Sequence, residues 1–154
     1  MTSSSKRDLL IGACAVSAGV HAALAPAHFQ ESFAEGAGFV AATALLAATV
    51  AALAFFPASR LVPIAAALVF AGLLVSYAFA ATTGIPLLHP DIEAVDGLAV
   101  DTKIVELFGL GLAVDLGRRR VAGRVPLPAV ALTVMVAVFS ALVALAVSTG
   151  HHHA

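Results

Sequence analysis

Charged side chains are scarce in this sequence, and their scarcity is the first constraint on what the chain can be. Of 154 residues, 11% are charged and 61% are hydrophobic, and the mean hydropathy is +1.03. A soluble globular domain carries about one quarter charged residues, because its surface faces water. The composition therefore excludes a soluble domain and predicts a chain whose surroundings are the lipid bilayer.

Cysteine, tryptophan and the motifs of soluble enzymes are also rare or absent. The single cysteine, Cys14, has no partner for an intramolecular disulfide. The basic residues form no stripe interleaved with aromatic residues, so nucleic-acid binding is excluded. There is no glycine-rich phosphate loop, no Cys-x-x-Cys pair and no serine nucleophile motif. A catalytic enzyme that acts alone is therefore not expected.

Five apolar stretches approach the length of about 20 residues that crosses the hydrocarbon core of a bilayer. Pro26 is expected to end or kink the first helix, and the fourth stretch is the least apolar because it carries four charged residues. The predicted fold is all-α, a single domain over residues 1–154 built as a bundle of five transmembrane helices. The predicted spans are approximately 9–28, 36–56, 61–81, 97–116 and 127–147.

The distribution of lysine and arginine predicts the orientation of the bundle. Short cytoplasmic loops carry an excess of these residues. A cytoplasmic N-terminus places seven of the eight basic residues inside, and five spans then place the C-terminus outside. We therefore predict a multi-pass protein of a bacterial cytoplasmic (inner) membrane. The seven residues are Lys6, Arg7, Arg60, Arg118, Arg119, Arg120 and Arg124.

The first apolar stretch also has a second interpretation. Lys6 and Arg7 followed by an apolar run and Ala25-Pro26-Ala27 are typical of a secretory signal with an Ala-x-Ala cleavage site. The sequence before Cys14 similarly resembles a lipoprotein cleavage box, but only five apolar residues precede that cysteine. We expect an uncleaved first helix.

Three polar side chains, whose placement in the hydrocarbon costs free energy, are predicted to lie at the same depth in the bundle. At 1.5 Å per residue, His21, Tyr77 and Glu106 lie roughly 7 to 13 Å below the outer surface. One interpretation is a functional site in which His21 and Glu106, with Tyr77 or Ser76, hold a proton, a metal or the head of a quinone-like molecule. The alternative is a structural ion pair, because Lys103 precedes Glu106 by three residues and can neutralise it.

Histidines are confined to the outer side of the predicted topology. Imidazoles near acids are suitable ligands for Zn²⁺, Cu²⁺ or Ni²⁺, although their spacing is not that of a recognised site. The acids on the same side are Glu31, Glu35, Asp91 and Glu93. A divalent metal is thus a candidate cofactor. The candidate ligands are His28, His89, His151, His152 and His153.

Small residues on the fourth stretch predict close helix packing. Gly109 and Gly111 are both expected to face another helix, because small side chains let two backbones approach each other in lipid.

Several short motifs resemble a recurrent group of small multi-span membrane proteins from bacteria with alanine-rich proteomes. The resemblance covers about the first 115 residues and implies a multi-span helical fold. It draws attention to His21, His28 and Glu106 without assigning them a role. The motifs are His21, His28-Phe29, Thr82-Thr83-Gly84-Ile85-Pro86 and the stretch from Gly97-Leu98 through Asp101 to Glu106.

Three functional hypotheses follow. The first is a non-enzymatic accessory or scaffold subunit, whose apolar faces pack in the bilayer on the subunits of a larger membrane complex or on another copy of the chain. The second is a small proton-coupled transporter or ion-handling protein that uses the His21 and Glu106 pair. The third is a metal or redox protein of the outer face.

Overall fold

The computed structural model describes residues 2–85 and 95–118, and these form four α-helices with no strand. The all-helical prediction is thereby confirmed, and α1, α2 and α3 have the length and apolar composition of membrane spans. The predicted fifth span, 127–147, lies outside the described residues. The helices are α1 (Ser3–Glu31), α2 (Phe33–Phe55), α3 (Leu61–Thr82) and α4 (Gly97–Arg118).

Helix α1 differs from its prediction, because it continues through Pro26 and ends only at Glu31. Proline removes one backbone N–H from the helix, a loss that neighbouring groups compensate in membrane helices. The turn beyond Pro26 is closed by the N–H of Ser32, which donates to the carbonyl oxygen of His28 at 2.8 Å. Of the two outcomes expected at Pro26, an end or a kink, the helix therefore does not end there.

A single residue connects α1 to α2. Ser32 has extended backbone angles (φ −154°, ψ 133°) and is followed at once by α2, which begins at Phe33. The turn is tight enough that a Cβ atom on Gly36 would collide with the ring of Phe29. The last turn of α1 and the first turn of α2 are thus held side by side.

The core of the bundle is apolar and closely packed. Helix α1 packs on α2 and α4, and α3 packs on α4 and α2. A Cβ atom on Gly109 would lie 2.5 Å from the ring of Phe70, so the prediction that Gly109 faces another helix is confirmed. Gly111 is exposed, and among the described residues a Cβ atom there would meet nothing within 4 Å, so the same prediction for Gly111 is not confirmed. Side chains two positions apart on an α-helix point about 200° apart around its axis, so Gly109 and Gly111 cannot both face the same neighbouring helix.

The two ends of the bundle carry opposite charge. The N-terminus of α1, the α2–α3 connection and the last turn of α4 surround a cavity of about 100 Å³ lined by Arg7, Ser59 and Leu116 among others. We call this the terminal end, and the opposite end, which holds Ser32, the turn end. At the terminal end the basic residues Lys6, Arg7, Arg60 and Arg118 outnumber the acids Asp8 and Asp115. The acids Glu31, Glu35, Asp96 and Asp101 lie at the turn end.

Helix α4 turns its charged middle inward and its large apolar side chains outward. Glu106 is fully buried and Thr102 is 6% exposed, and the side chain of Lys103 is 16% exposed. An amphipathic helix on the surface of a soluble protein has the reverse arrangement. The exposed apolar residues of α4 are Leu98, Val100, Ile104, Leu107, Phe108 and Val114.

Candidate functional site

The carboxylate of Glu106 is the centre of a buried polar cluster between α1 and α4. Ser17 Oγ donates a hydrogen bond to Glu106 Oε1 at 2.9 Å. Lys103 Nζ donates to Glu106 Oε2 at 2.8 Å, which also forms an ion pair. Each carboxylate oxygen therefore has a donor, and the buried negative charge has a positive partner one helical turn away. We call Ser17, His21, Lys103 and Glu106 the polar cluster.

His21 joins this cluster through Ser17. Its Nδ1 lies 2.8 Å from the carbonyl oxygen of Ser17. A carbonyl oxygen only accepts hydrogen bonds, so Nδ1 carries the proton and donates. The other ring nitrogen, Nε2, lies 4.0 Å from Glu106 Oε1, which is beyond hydrogen-bond distance. The predicted His21 and Glu106 pair thus meets through Ser17, and the two side chains face each other across a short gap.

Tyr77 and Ser76 differ in their relation to the cluster. The ring of Tyr77 lies beneath the ammonium of Lys103, with Nζ 4.9 Å from the ring centroid. This is cation–π geometry. In the part of the chain that the structure describes, no hydrogen bond links Ser76 to His21, Lys103 or Glu106. The structure therefore brings together four of the five predicted residues. Tyr77 contacts the cluster through its aromatic ring.

Two residues of this region were missed by sequence reasoning, Ser17 and Phe39. Ser17 precedes His21 by four residues and therefore lies on the same helix face. A polar residue at this spacing in an alanine-rich run could have identified Ser17 from the sequence. The ring of Phe39 on α2 stacks on His28 at 4.0 Å and 15°, and it also contacts His21 at 5.4 Å between ring centroids. Phe39 thus connects the polar cluster to the turn end. No pattern in the sequence marked it.

At the turn end, one predicted metal ligand has two carboxylates beside it. His28 Nδ1 lies 3.4 Å from Glu31 Oε2 and 3.4 Å from Glu35 Oε2. Ligand atoms of the three residues all lie within 4.8 Å of one another. We call His28, Glu31 and Glu35 the turn site. The other candidate ligands, His89, His151, His152 and His153, lie outside the described residues.

A second ion pair links α1 to α4 at the terminal end. Lys6 Nζ donates to Asp115 Oδ2 at 2.6 Å, and the two side chains are 17% and 39% exposed. Together with the Ser17 to Glu106 contact, this bond fixes α1 and α4 as antiparallel neighbours.

The polar cluster can therefore hold a charge pair and exchange a proton, and the turn site offers one imidazole and two carboxylates. No protein-family model matches the chain, and the comparisons with curated proteins and with solved structures found no match.

Proposed function

We propose that this chain is a non-enzymatic integral membrane protein that serves as an accessory or scaffold subunit of a larger membrane assembly. The proposal includes five spans, with the N-terminus in the cytoplasm, the C-terminus outside, and insertion in a bacterial cytoplasmic membrane. The observation that carries it is the arrangement of α4, with charge inside and bulk apolar side chains outside.

Helix α4 carries more charged residues than α1, α2 or α3, whose apolar composition makes them candidate spans, yet its surface suits lipid. A charge at the centre of a bilayer costs about 2.5–3.5 kcal/mol on insertion scales. In α4 the Glu106 and Lys103 charges are paired with each other and face α1 and the Tyr77 ring. The groups left on the outside of the middle of the helix are Ile104, Leu107 and Phe108. This is the pattern of a membrane helix that keeps its ionisable residues inside the bundle.

The charge difference between the ends of the bundle supports the proposed orientation. Basic residues from the start of α1, the α2–α3 connection and the end of α4 share the terminal end. Under the positive-inside rule this end faces the cytoplasm. The turn end, with Glu31, Glu35 and Asp96, then faces outward.

An accessory role is favoured because the polar cluster is closed. Both oxygens of Glu106 already accept hydrogen bonds from Ser17 and Lys103, so no substrate is needed to satisfy them. The exposed faces are apolar, and they offer close packing against other membrane helices. A second copy of the chain and a different subunit are both compatible partners.

Crosslinking within the native membrane tests this proposal. A photo-reactive amino acid at Phe108, on the outward face of α4, should give one protein product larger than the chain itself. The control is the same substitution at Phe55, which is 77% exposed at the end of α2. Lipid adducts alone at Phe108, or the same protein product from Phe55, would contradict a specific subunit contact on α4.

A second candidate function, proton or ion handling, is favoured by one distance. His21 Nε2 faces Glu106 Oε1 at 4.0 Å, so a proton bound at Nε2 would point toward a buried carboxylate. Proton flux into vesicles that contain the purified chain should then be lost in Glu106→Gln and kept in Asp115→Asn, whose ion pair lies at the terminal end. An absence of flux in the unsubstituted protein rejects this candidate.

A further inference from the structure

We propose that the turn site, His28, Glu31 and Glu35, binds one divalent transition-metal ion of the zinc class. The inference is independent of the accessory role proposed above, because it concerns a different cluster at the end of the bundle. It rests on the way in which three ligating side chains from two helices are positioned.

The backbone brings the three residues together. His28 and Glu31 are on the last turn of α1, and Glu35 is on the first turn of α2, with only Ser32 between the helices. The connection is fixed by two hydrogen bonds, from Ser32 N–H to the His28 carbonyl at 2.8 Å and from Gly36 N–H to the Ser32 carbonyl at 3.1 Å. The site is thus part of a rigid helical corner.

Two of the three ligands are preorganised and the third can adjust. The imidazole of His28 is 19% exposed and is stacked on Phe39, which sets the plane of its ring. The side chain of Glu35 is 10% exposed, whereas that of Glu31 is 62% exposed. The half-buried His28 and Glu35 therefore form a fixed pair, and the exposed Glu31 can rotate to complete the coordination.

The spacing suits a small dication. In a tetrahedral zinc site with bonds of about 2.0–2.1 Å, neighbouring ligand atoms are about 3.3 Å apart. His28 Nδ1 lies 3.4 Å from an oxygen of each carboxylate. A proton on Nδ1 can point at only one of these two oxygens, whereas an ion between the three atoms binds all of them.

Charge and ligand chemistry decide the class of ion. Two carboxylates within 4.8 Å of one imidazole nitrogen carry a formal charge of −2, which a dication offsets. One nitrogen and two oxygens, with positions left for water, suit Zn²⁺ and its first-row neighbours. Ca²⁺ prefers six to eight oxygen ligands and Mg²⁺ an octahedron of oxygens, so both should bind more weakly.

The test uses the purified full chain in detergent after treatment with a chelator. His151, His152 and His153 are replaced by alanine in every sample, so that the C-terminal imidazoles cannot take up the metal. Titration with Zn²⁺ followed by calorimetry should show one ion per chain. Titration with Co²⁺ should give the visible absorption of a low-symmetry site, and Ca²⁺ should give no comparable heat.

Two variants and one control then locate the ion. Glu35→Gln and Glu31→Gln should each weaken Zn²⁺ binding by at least about tenfold, since losing even an outer-shell partner costs 10- to 100-fold. Asp8→Asn, the same chemical change about 30 Å away along α1, should leave binding unchanged. Because Glu31 is mostly exposed, its variant keeps the fold intact. Unchanged affinity in Glu31→Gln and Glu35→Gln, or no Zn²⁺ binding in the parent sample, would overturn the proposal.

Discussion

The interface between α1 and α4 buries different types of residue in its two halves. Toward the terminal end the buried residues are apolar, with Leu10, Cys14 and Ala113 at or near zero exposure. Toward the turn end the buried residues are polar, and Ser17 and Glu106 are fully enclosed. Apart from the Lys6 to Asp115 ion pair at the terminal end, the same two helices are thus joined by close packing in one half and by hydrogen bonds in the other.

This difference follows from the absence of water around a membrane bundle. Lipid is as apolar as a leucine side chain, so the apolar half gains from close contact between surfaces more than from burial. Polar groups find no partner in lipid and have to be satisfied within the protein. We therefore expect the apolar half to respond to changes of volume, and the polar half to the loss of a partner.

The largest expected effect is the removal of the positive partner of Glu106. Lys103→Met leaves a fully buried carboxylate with one donor, Ser17, and should lower the free energy of unfolding by about 3–5 kcal/mol. The measurement is reversible unfolding of the purified protein in mixed micelles. The double variant Lys103→Met, Glu106→Gln removes both charges and should lose less than the single variant. If the double variant loses as much or more, the pairing account of the polar half is wrong.

A change of volume in the apolar contact between α3 and α4 comes next. Gly109→Leu forces a side chain against the ring of Phe70, and overpacking of this kind costs about 1–3 kcal/mol. Gly111→Leu is the matched control, because Gly111 faces open space on the same helix. Its thermal unfolding temperature should be unchanged or slightly higher, since leucine favours the helix over glycine. Equal losses of stability from both variants would show that the close contact between Gly109 and Phe70 does not determine the effect of the substitution.

Loss of one hydrogen bond in the polar half should have a smaller effect. Ser17→Ala removes the donor to Glu106 Oε1 and should cost about 1 kcal/mol, within the range measured for such bonds in membrane proteins. Ser76→Ala serves as the control, because in the described residues Ser76 forms no bond to the cluster. A comparable loss from Ser76→Ala would mean that Ser76 contributes to the cluster from α3, as the Tyr77 ring does.

The smallest effect expected is the coupling between His21 and Glu106. The gap of 4.0 Å between Nε2 and Oε1 and the shared partner Ser17 predict that His21→Ala and Glu106→Gln are non-additive by about 0.5–1 kcal/mol. A double-mutant cycle of unfolding free energies measures this term. Additivity within roughly 0.5 kcal/mol would reduce His21 to a neighbour of the cluster.

Hydropathy predicted the first residue of a helix correctly where a charged residue or a glycine marks the start of the apolar run. Helix α3 begins at Leu61, directly after Arg60, and α4 begins at Gly97, as predicted. Helices α1 and α2 extend further than predicted because Glu31 and Phe33 belong to helical turns. Those turns are closed by backbone hydrogen bonds around Ser32, and residue hydropathy carries no information about such bonds.

The depth of the site could also be read from the sequence, but the direction of each side chain could not. Counting residues placed His21 and Glu106 at one level, and the two do lie on facing helices. Which face each helix presents depends on its rotation, which is set by contacts such as Phe70 on Gly109. For this reason Ser17 was missed, and Tyr77 and Ser76 were left as alternatives, of which Tyr77 contacts the cluster through its ring.

The central claim is that α4 crosses the membrane with its charges inside the bundle, and cysteine labelling tests it most directly. In a Cys14→Ala background, single cysteines replace Asp96, just before α4, and Arg118, at its end. A membrane-impermeant thiol reagent should label the first in intact cells, and the second only after the membrane is opened. Labelling of both positions from the same side would contradict a spanning α4, and the reversed pattern would contradict the proposed orientation.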